Sequence, residues 1–249
     1  MPGSIKTVLH RTISLGIMIL LWKLVSLGIV SSALPPPEAV FARAVLLTSQ
    51  GRLIIHSLAT LGRTLAGVGI ASLFALPLGI LSGRKPLADT LMTPGFYILF
   101  PVPKIALLPV LFLLFGIGEL SRVLIVALVL FFQIVLAIRD AAKGIPRELI
   151  ETFTTMGGRG LKKVTLLLIP AILPAFFTAL RIGIGTALAV LFFAETFFTR
   201  HGLGFFTMDA WMRIDYLDMY AGILGLSVLG WILFGITDLL QKRYTRADM

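Results

Sequence analysis

The stretch Ile145–Pro174 reads IPRELIETFTTMGGRGLKKVTLLLIPAILP and differs in character from the sequence on either side. It begins with charged and polar residues, yet it lies between two long apolar runs. Its order is a proline, an acidic helix start, a Gly-Gly break, a basic patch and a Pro-x-x-x-Pro entry into the next apolar run. A plain linker needs no such order, so we expect this stretch to be a structured element with a contact role of its own.

The composition indicates that lipid surrounds most of the chain. Of the 249 residues, 57% are apolar and 14% are charged, and the mean hydropathy is +0.98. A soluble domain of this size would have to expose too much apolar surface. The formal net charge of +10 comes from short basic clusters between the apolar runs. Such clusters are typical of loops on the cytoplasmic side of a membrane.

The same composition argues against several classes of function. No basic stripe with interleaved aromatic residues is present, so nucleic-acid binding is not expected. A chain with no cysteine has no disulfide and no thiol-ligated metal site. Its 3 histidines lack the spacing of metal ligands. We therefore expect no catalytic site, metal or cofactor in this chain.

Apolar runs of about 20 residues can each cross a bilayer as a helix. We predict an all-α polytopic membrane protein in which residues 1–249 form a single transmembrane domain. The basic clusters then share one face, which places both termini and a loop over 145–170 in the cytoplasm. For the first run a cleaved signal peptide is the alternative, because Ser31-Ser32-Ala33 resembles a cleavage site. The predicted spans are six: 12–30, 57–81, 96–117, 122–138, 171–193 and 220–240.

The third apolar run contains Pro101, Pro103 and Pro109, with Lys104 beside the first two. A Pro-x-Pro pair removes two backbone donors and disfavours helix for the residue before each proline. The sequence therefore predicts a broken or strongly kinked helix, which a membrane tolerates only against protein or a water-filled cavity.

Two spans carry small residues at every fourth position. Small residues at this spacing allow helix backbones to approach closely. Chance in a chain rich in alanine and glycine is the alternative explanation. The stripe of the second span is Gly67, Ala71, Ala75 and Gly79, and that of the fifth is Ala171, Ala175, Ala179, Gly183 and Ala187.

The opening stretch predicts two short helices at an angle. Pro146 suits a first helical turn, and Glu148 and Glu151 lie where carboxylates complement the helix dipole. Gly157 and the glycine after it end this helix, because glycine accepts a left-handed cap. A second helix starts over Arg159–Ile169, and Pro170 and Pro174 after it mark the turn into the fifth span.

Glu151, Gly157 and Pro170 resemble the "EAA" loop of permease subunits of bacterial ABC importers. The chain carries Thr152-Phe153 where that family has a pair of alanines. As a set, the matching segments resemble the nitrate, sulfonate, taurine and bicarbonate branch of the binding-protein-dependent transport inner-membrane family. The other segments that carry this resemblance are Leu34–Pro37, Arg63–Gly67, Pro77–Gly79, Pro103–Pro109, Phe115–Gly118, Ala194-Glu195 and Gly202–Gly204.

The resemblance implies a type I importer fold and a complex in a bacterial inner membrane. Its other members would be a second copy of this chain, two ATP-binding subunits and an external substrate-binding protein. ATP and Mg would belong to the ATPase partner, because no G-x-x-x-x-G-K-[ST] motif occurs here. The resemblance also implies a contact with that ATPase through the coupling residues Pro146, Glu148, Glu151, Gly157 and Arg159.

Ionisable groups at membrane depth are costly and usually have a function. Lys104, beside the predicted break, is the first choice for an electropositive pathway that suits an anion. A snorkelling role is the alternative for Arg63, and a structural or gating hydrogen bond is the alternative for Glu195. The predicted pathway residues are Lys104, Arg181, Gln133, Glu195 and Arg63.

The sequence leaves two substrate classes. An oxyanion or sulfonate is the leading interpretation, and a vitamin or vitamin precursor is the alternative. An ATPase-independent secondary transporter and a membrane-embedded enzyme are the rival functions. The first would make Ile145–Pro174 a plain loop, and the second would need a cluster of acid, base or metal ligands that the sequence does not assemble.

Overall fold

The computed structural model describes residues 5–29 and 33–245, and every regular element in this part of the chain is helical. Ser31, Ser32, Val30 and Arg246, on which parts of the sequence interpretation rest, lie outside the described residues. The helices are α1 (Ile5–Gly28), α2 (Pro37–Ser49), α3 (Arg52–Arg84), α4 (Pro86–Leu99), α5 (Leu108–Phe115), α6 (Glu119–Lys143), α7 (Arg147–Thr155), α8 (Leu161–Lys163), α9 (Ile169–Glu195), α10 (Leu203–Met212) and α11 (Tyr216–Thr245).

Four helices of the described residues are long and apolar enough to cross a membrane. A bent pair, Pro86–Leu99 with Lys104–Phe115, makes up to five if it counts as one span. The apolar part of α1, Thr12–Gly28, is a shorter helix. The structure thus shows four or five helices in the described residues that could span a membrane, and the six-span count stays a prediction. The four long helices are Arg52–Arg84, Glu119–Lys143, Leu161–Glu195 and Tyr216–Tyr244.

The predicted break in the third apolar run is confirmed. α4 and the helical segment that starts at Lys104 meet at an angle of 91°. Pro101 and Pro103 lie in the non-helical connection, where their missing N–H groups cost no helical hydrogen bond. One 3-10 turn, Lys104–Leu107, leads into α5.

α3 and α6 form a parallel pair at the centre of the bundle. Gly67 lies against Val126, and Gly79 lies against Ile138, so both helices run in the same direction. A Cβ on Gly79 would lie 2.8 Å from the Cβ of Ile138, which is too close for a side chain at this position. All four small residues of the α3 stripe are buried, so this stripe is the surface on which α6 packs.

The stripe of α9 is only partly buried. Ala179, Gly183 and Ala187 are buried, Ala175 is half-buried, and Ala171 is exposed. The close approach to α6 is therefore made by the middle of α9, away from its first turns.

The prediction of a separate second helix after the Gly-Gly pair is wrong. Residues Leu161–Glu195 form one helix of 35 residues, so Pro170 and Pro174 mark no turn. A π-helical turn, Val164–Leu168, precedes Pro170. The wider turn relieves the clash that a proline ring makes with the carbonyl four residues before it. α9 is therefore joined directly to the segment that follows α7.

Candidate functional site

α7 stands apart from the bundle on a short connection. Pro146 precedes it as the N-cap, and Glu148 lies in its first turn. Ile150, 7% exposed, is its one buried residue. Gly157 follows with a φ of +87°, a left-handed conformation that favours glycine. The helix is thus held by one buried apolar side chain, and the left-handed Gly157 follows its C-cap residue, Met156.

The outward face of α7 and of the segment after it combines acidic and apolar side chains. Glu148, Glu151 and Arg159 are exposed. Met156 is 81% exposed and Leu161 is 77% exposed. Exposed apolar side chains among charged ones are typical of a protein contact surface. We call the end of the bundle that carries this face the α7 end.

Phe153 and Gly158 form a contact that sequence reasoning missed. The ring of Phe153 occupies the place that a Cβ of Gly158 would need. The backbone N–H of Gly158 also donates to the carbonyl of Phe153, at 2.9 Å. The aromatic residue at this departure from the family pattern therefore fixes the fold of the loop and leaves the outer face of α7 free.

A second group that sequence reasoning missed joins α4 to the last turn of α6. Arg139 donates to both carboxylate oxygens of Asp89, each at 2.8 Å. Lys143 donates to the same carboxylate at 2.8 Å. Arg84 donates to the carbonyl of Ala142 at 3.0 Å. The only sequence signal for this group is the i, i+4 spacing of two cations on α6 and a single acid in the first turn of α4.

At the opposite end of the bundle, Arg63 and Glu195 lie together as an ion pair of 2.7 Å. Glu195 is 0% exposed and Arg63 is 5% exposed. Arg63 also donates to Glu119 at 2.6 Å, and Thr60 donates to Glu195 at 2.9 Å. Two predicted pathway residues are therefore partners of one another in a network whose central pair is buried, while Glu119 is 65% exposed. We call this end of the bundle the Glu195 end.

The Gly202–Gly204 segment contacts the same network through positions that require glycine. The N–H of Gly204 donates to Glu195 at 3.0 Å. Gly202 has a φ of +133° and lies so close to Glu195 that a Cβ would meet the carboxylate. The segment therefore closes over the carboxylate with backbone alone.

A family profile described as the binding-protein-dependent transport system inner membrane component matches residues 75–246. The chain belongs to this family. Its members are permeases of ABC transport systems, and the resemblance inferred from the sequence is confirmed.

Three relatives illustrate the family. The taurine transport system permease protein TauC of Escherichia coli is 29% identical over 94% of this chain and 89% of its own length. A putative ABC transporter permease of Methanocaldococcus jannaschii is 32% identical over 84% of this chain and 81% of its own. The bicarbonate transport system permease protein CmpB of Synechocystis is 28% identical over 90% and 84%.

A solved structure confirms the fold class. A chain of the MetNI methionine ABC transporter, in inward-facing conformations, superposes with a TM-score of 0.65. The match covers 78% of this chain and 96% of that one at 21% identity. The permease therefore has the fold of an ABC importer membrane subunit, and its relatives are transport proteins rather than enzymes.

The remaining predicted pathway residues of the permease lie apart from one another. Lys104 donates to the carbonyls of Leu99 and Phe100, at 2.8 and 2.6 Å. It also donates to the carbonyl of Val102 at 2.9 Å. An ammonium group has three protons, so these bonds occupy all of them. Lys104 thus caps the C-terminal end of α4 at the break.

Arg181 and Gln133 have different surroundings. Arg181, half-exposed, pairs with Asp238 of α11 at 3.0 Å. The Oε1 atom of Gln133 is buried and accepts no hydrogen bond from the described residues. It faces Gly183 of α9, whose Cβ would lie 2.8 Å away. The structure therefore places the five predicted pathway residues in four separate locations, with only Arg63 and Glu195 in contact.

Proposed function

We propose that this permease works in an ATP-driven importer with six spans and cytoplasmic termini. Two copies form the alternating-access pathway in a bacterial inner membrane. Two ATPase subunits, which carry the ATP and Mg, bind their cytoplasmic side, and an external binding protein delivers the solute. The family match over residues 75–246 supports this assignment.

The α7 end is the surface that we assign to the ATPase. Its outward face carries acidic and apolar side chains on a helix that only Ile150 anchors in the core. Such a helix can be moved by a partner at small cost to the bundle. Pro146 and Gly157 set its two ends, and the coupling residues between and beyond them face the partner.

The solute is most consistent with a small oxyanion or sulfonate. Two relatives are named as permeases for taurine and for bicarbonate. A third, a putative permease for aliphatic sulfonates from Bacillus subtilis, is 27% identical over 91% of this chain. Taurine, alkanesulfonates and bicarbonate share a compact anionic group, and this shared chemistry is the basis of the assignment.

A vitamin precursor is the second candidate. The formylaminopyrimidine transport permease protein ThiX of Halalkalibacterium halodurans is 29% identical over 84% of this chain. Since all three predicted cationic pathway residues bind protein groups in the structure, a neutral heterocycle needs no change in them.

Uptake into proteoliposomes tests both the complex and the solute class. The permease is reconstituted with its ATPase and binding protein, and uptake of labelled taurine, ethanesulfonate, bicarbonate, nitrate and formylaminopyrimidine is measured with and without ATP. We expect ATP-dependent uptake of one of the anions. Uptake of formylaminopyrimidine alone would overturn the anion assignment, and uptake independent of ATP and ATPase would overturn the importer assignment.

The variant Glu151→Lys tests the ATPase contact. Charge reversal on the exposed face of α7 should reduce both uptake and binding-protein-stimulated ATP hydrolysis by about tenfold, or ~1.4 kcal/mol. Glu151→Asp keeps the charge and is the matched control, with activity near that of the unmodified permease. Normal uptake by Glu151→Lys would remove α7 from the contact.

A further inference from the structure

The position of α7 depends on the last turn of α6, because the connection between them is short. α6 ends at Lys143 and α7 begins at Arg147. Of the three residues between them, Ile145 is buried, with 7% exposure. A displacement of the last turn of α6 must therefore displace the start of α7.

The last turn of α6 is held from the side by Asp89 of α4. The Asp89 carboxylate accepts two hydrogen bonds from Arg139 and one from Lys143, and a fourth comes from Thr93 at 2.6 Å. Paired charge-assisted bonds from one guanidinium fix direction as well as distance. Asp89 therefore sets the orientation of the turn from which α7 departs.

Arg84, the last residue of α3, makes a second contact that positions the end of α6. Its Nη1 donates to the carbonyl of Ala142 at 3.0 Å and lies 3.5 Å from that of Ile145. Carbonyls at a helix C-terminus have no partner within the helix, and a cation is favourable there. Gly83 lets the two backbones meet, since a Cβ would lie 2.5 Å from the carbonyl oxygen of Arg139.

We propose that Arg84 and Asp89, on either side of the α3–α4 turn, are positioning residues for the coupling helix α7. They act through Arg139 and the carbonyls at the end of α6. When the ATPase displaces α7, the movement is transmitted through Arg84 and Asp89 to α3 and α4. It is also transmitted directly along the chain into α9. This inference rests on the proposed role of α7 as the ATPase contact.

The first measurement needs no ATPase. Because the chain has no cysteine, Thr155→Cys places a single nitroxide label at the exposed end of α7. We expect Asp89→Asn to raise the mobility of this label in the purified permease, seen as narrowing of its electron paramagnetic resonance lines. Asp89→Glu keeps the charge, so the label should be as restricted in its motion as in the unmodified protein.

Asp140→Asn is the matched control. Asp140 also pairs with Arg139, at 2.6 Å, but it belongs to α6 itself and makes no bond to α4. We expect this variant to leave the label mobility unchanged. Equal label mobility in Asp89→Asn and the unmodified protein, or an equal rise in Asp140→Asn, would overturn the inference that Asp89 positions α7.

The second measurement is the amount of solute taken up per ATP hydrolysed in proteoliposomes. Asp89→Asn should lower this ratio by about threefold or more while ATP hydrolysis continues, and Asp89→Glu should restore it. A merely structural role would lower hydrolysis and uptake together. An unchanged ratio in Asp89→Asn would overturn the inference. If the unmodified complex shows no ATP-driven uptake, the proposed function fails. The label mobility then still decides whether Asp89 positions α7.

Discussion

The two ends of the parallel α3–α6 pair are held by ion pairs in different surroundings. At the Glu195 end, the carboxylate of Glu195 and the guanidinium of Arg63 are 0% and 5% exposed. At the α7 end, Asp89 is 17% exposed and Lys143 is 56% exposed. The Arg63–Glu195 pair is thus closed from water, although the second carboxylate on Arg63, that of Glu119, is 65% exposed, and the Asp89–Lys143 pair is open to water.

The difference indicates which end can be adjusted. A buried charge that loses its partner costs several kcal/mol, so Arg63 and Glu195 must stay together. A partly hydrated pair can exchange a protein partner for water at small cost. The Glu195 end is therefore suited to be a fixed point, and the α7 end is suited to move.

Glu195→Gln should have the largest effect on stability. The substitution removes the charge that faces Arg63 and places an amide N–H₂ among donors, since Thr60 and Gly204 also donate to this side chain. We expect the free energy of unfolding to fall by about 3 kcal/mol, measured by SDS titration of the purified protein in detergent. Asp209→Asn, which breaks an exposed pair between α10 and Arg213 just after it, is the control. Similar losses in both variants would contradict the contrast between the ends.

Gly67→Ala tests the contact that joins the two ends. A Cβ at Gly67 would lie 2.7 Å from the Cβ of Val126, so α3 and α6 would have to separate. We expect a loss of about 2 kcal/mol in the same titration. Gly69→Ala, two residues along α3 where a Cβ meets nothing within 4 Å, should be neutral or more stable by up to ~1 kcal/mol. Equal effects at the two positions would show that α3 and α6 adjust freely.

Asp89→Asn should have the smallest effect on stability, about 1 kcal/mol, because water can replace the lost carboxylate. The double variant with Glu195→Gln should lose the sum of the two single losses to within about 0.5 kcal/mol, since the two networks share no residue. A loss at Asp89 as large as that at Glu195 would show that both ends are rigid.

Local chain chemistry was predictable from the sequence. Pro101 and Pro103 indicated the broken helix, and the stripe from Gly67 to Gly79 indicated a close helix contact, because both signals depend on residues near one another in the chain. The ending of α7 before Gly157 followed from the need for a left-handed residue.

The ion networks could not be predicted in the same way. Arg63 and Glu195 are 132 residues apart, and Arg139 and Asp89 are 50 apart, so no spacing rule links them. The sequence predicts Lys104 as a charge available to solute, because the backbone carbonyls that it caps become free only where α4 ends, and the sequence does not mark that end. From the sequence, the prolines after the Gly-Gly pair predict a turn, because the sequence carries no sign of the π-helical turn that accommodates Pro170.

The contact between Phe153 and Gly158 has a consequence for sequence variation. The ring of Phe153 fills the space of a side chain at position 158, and the backbone carbonyl oxygen of Phe153 would also lie 2.7 Å from a Cβ there. Alanine at position 153 would remove the ring but not this oxygen, so position 158 requires glycine with either residue. The freedom to vary therefore lies at position 153, and a chimaera that carries alanine there should fold its loop only if it keeps glycine at position 158.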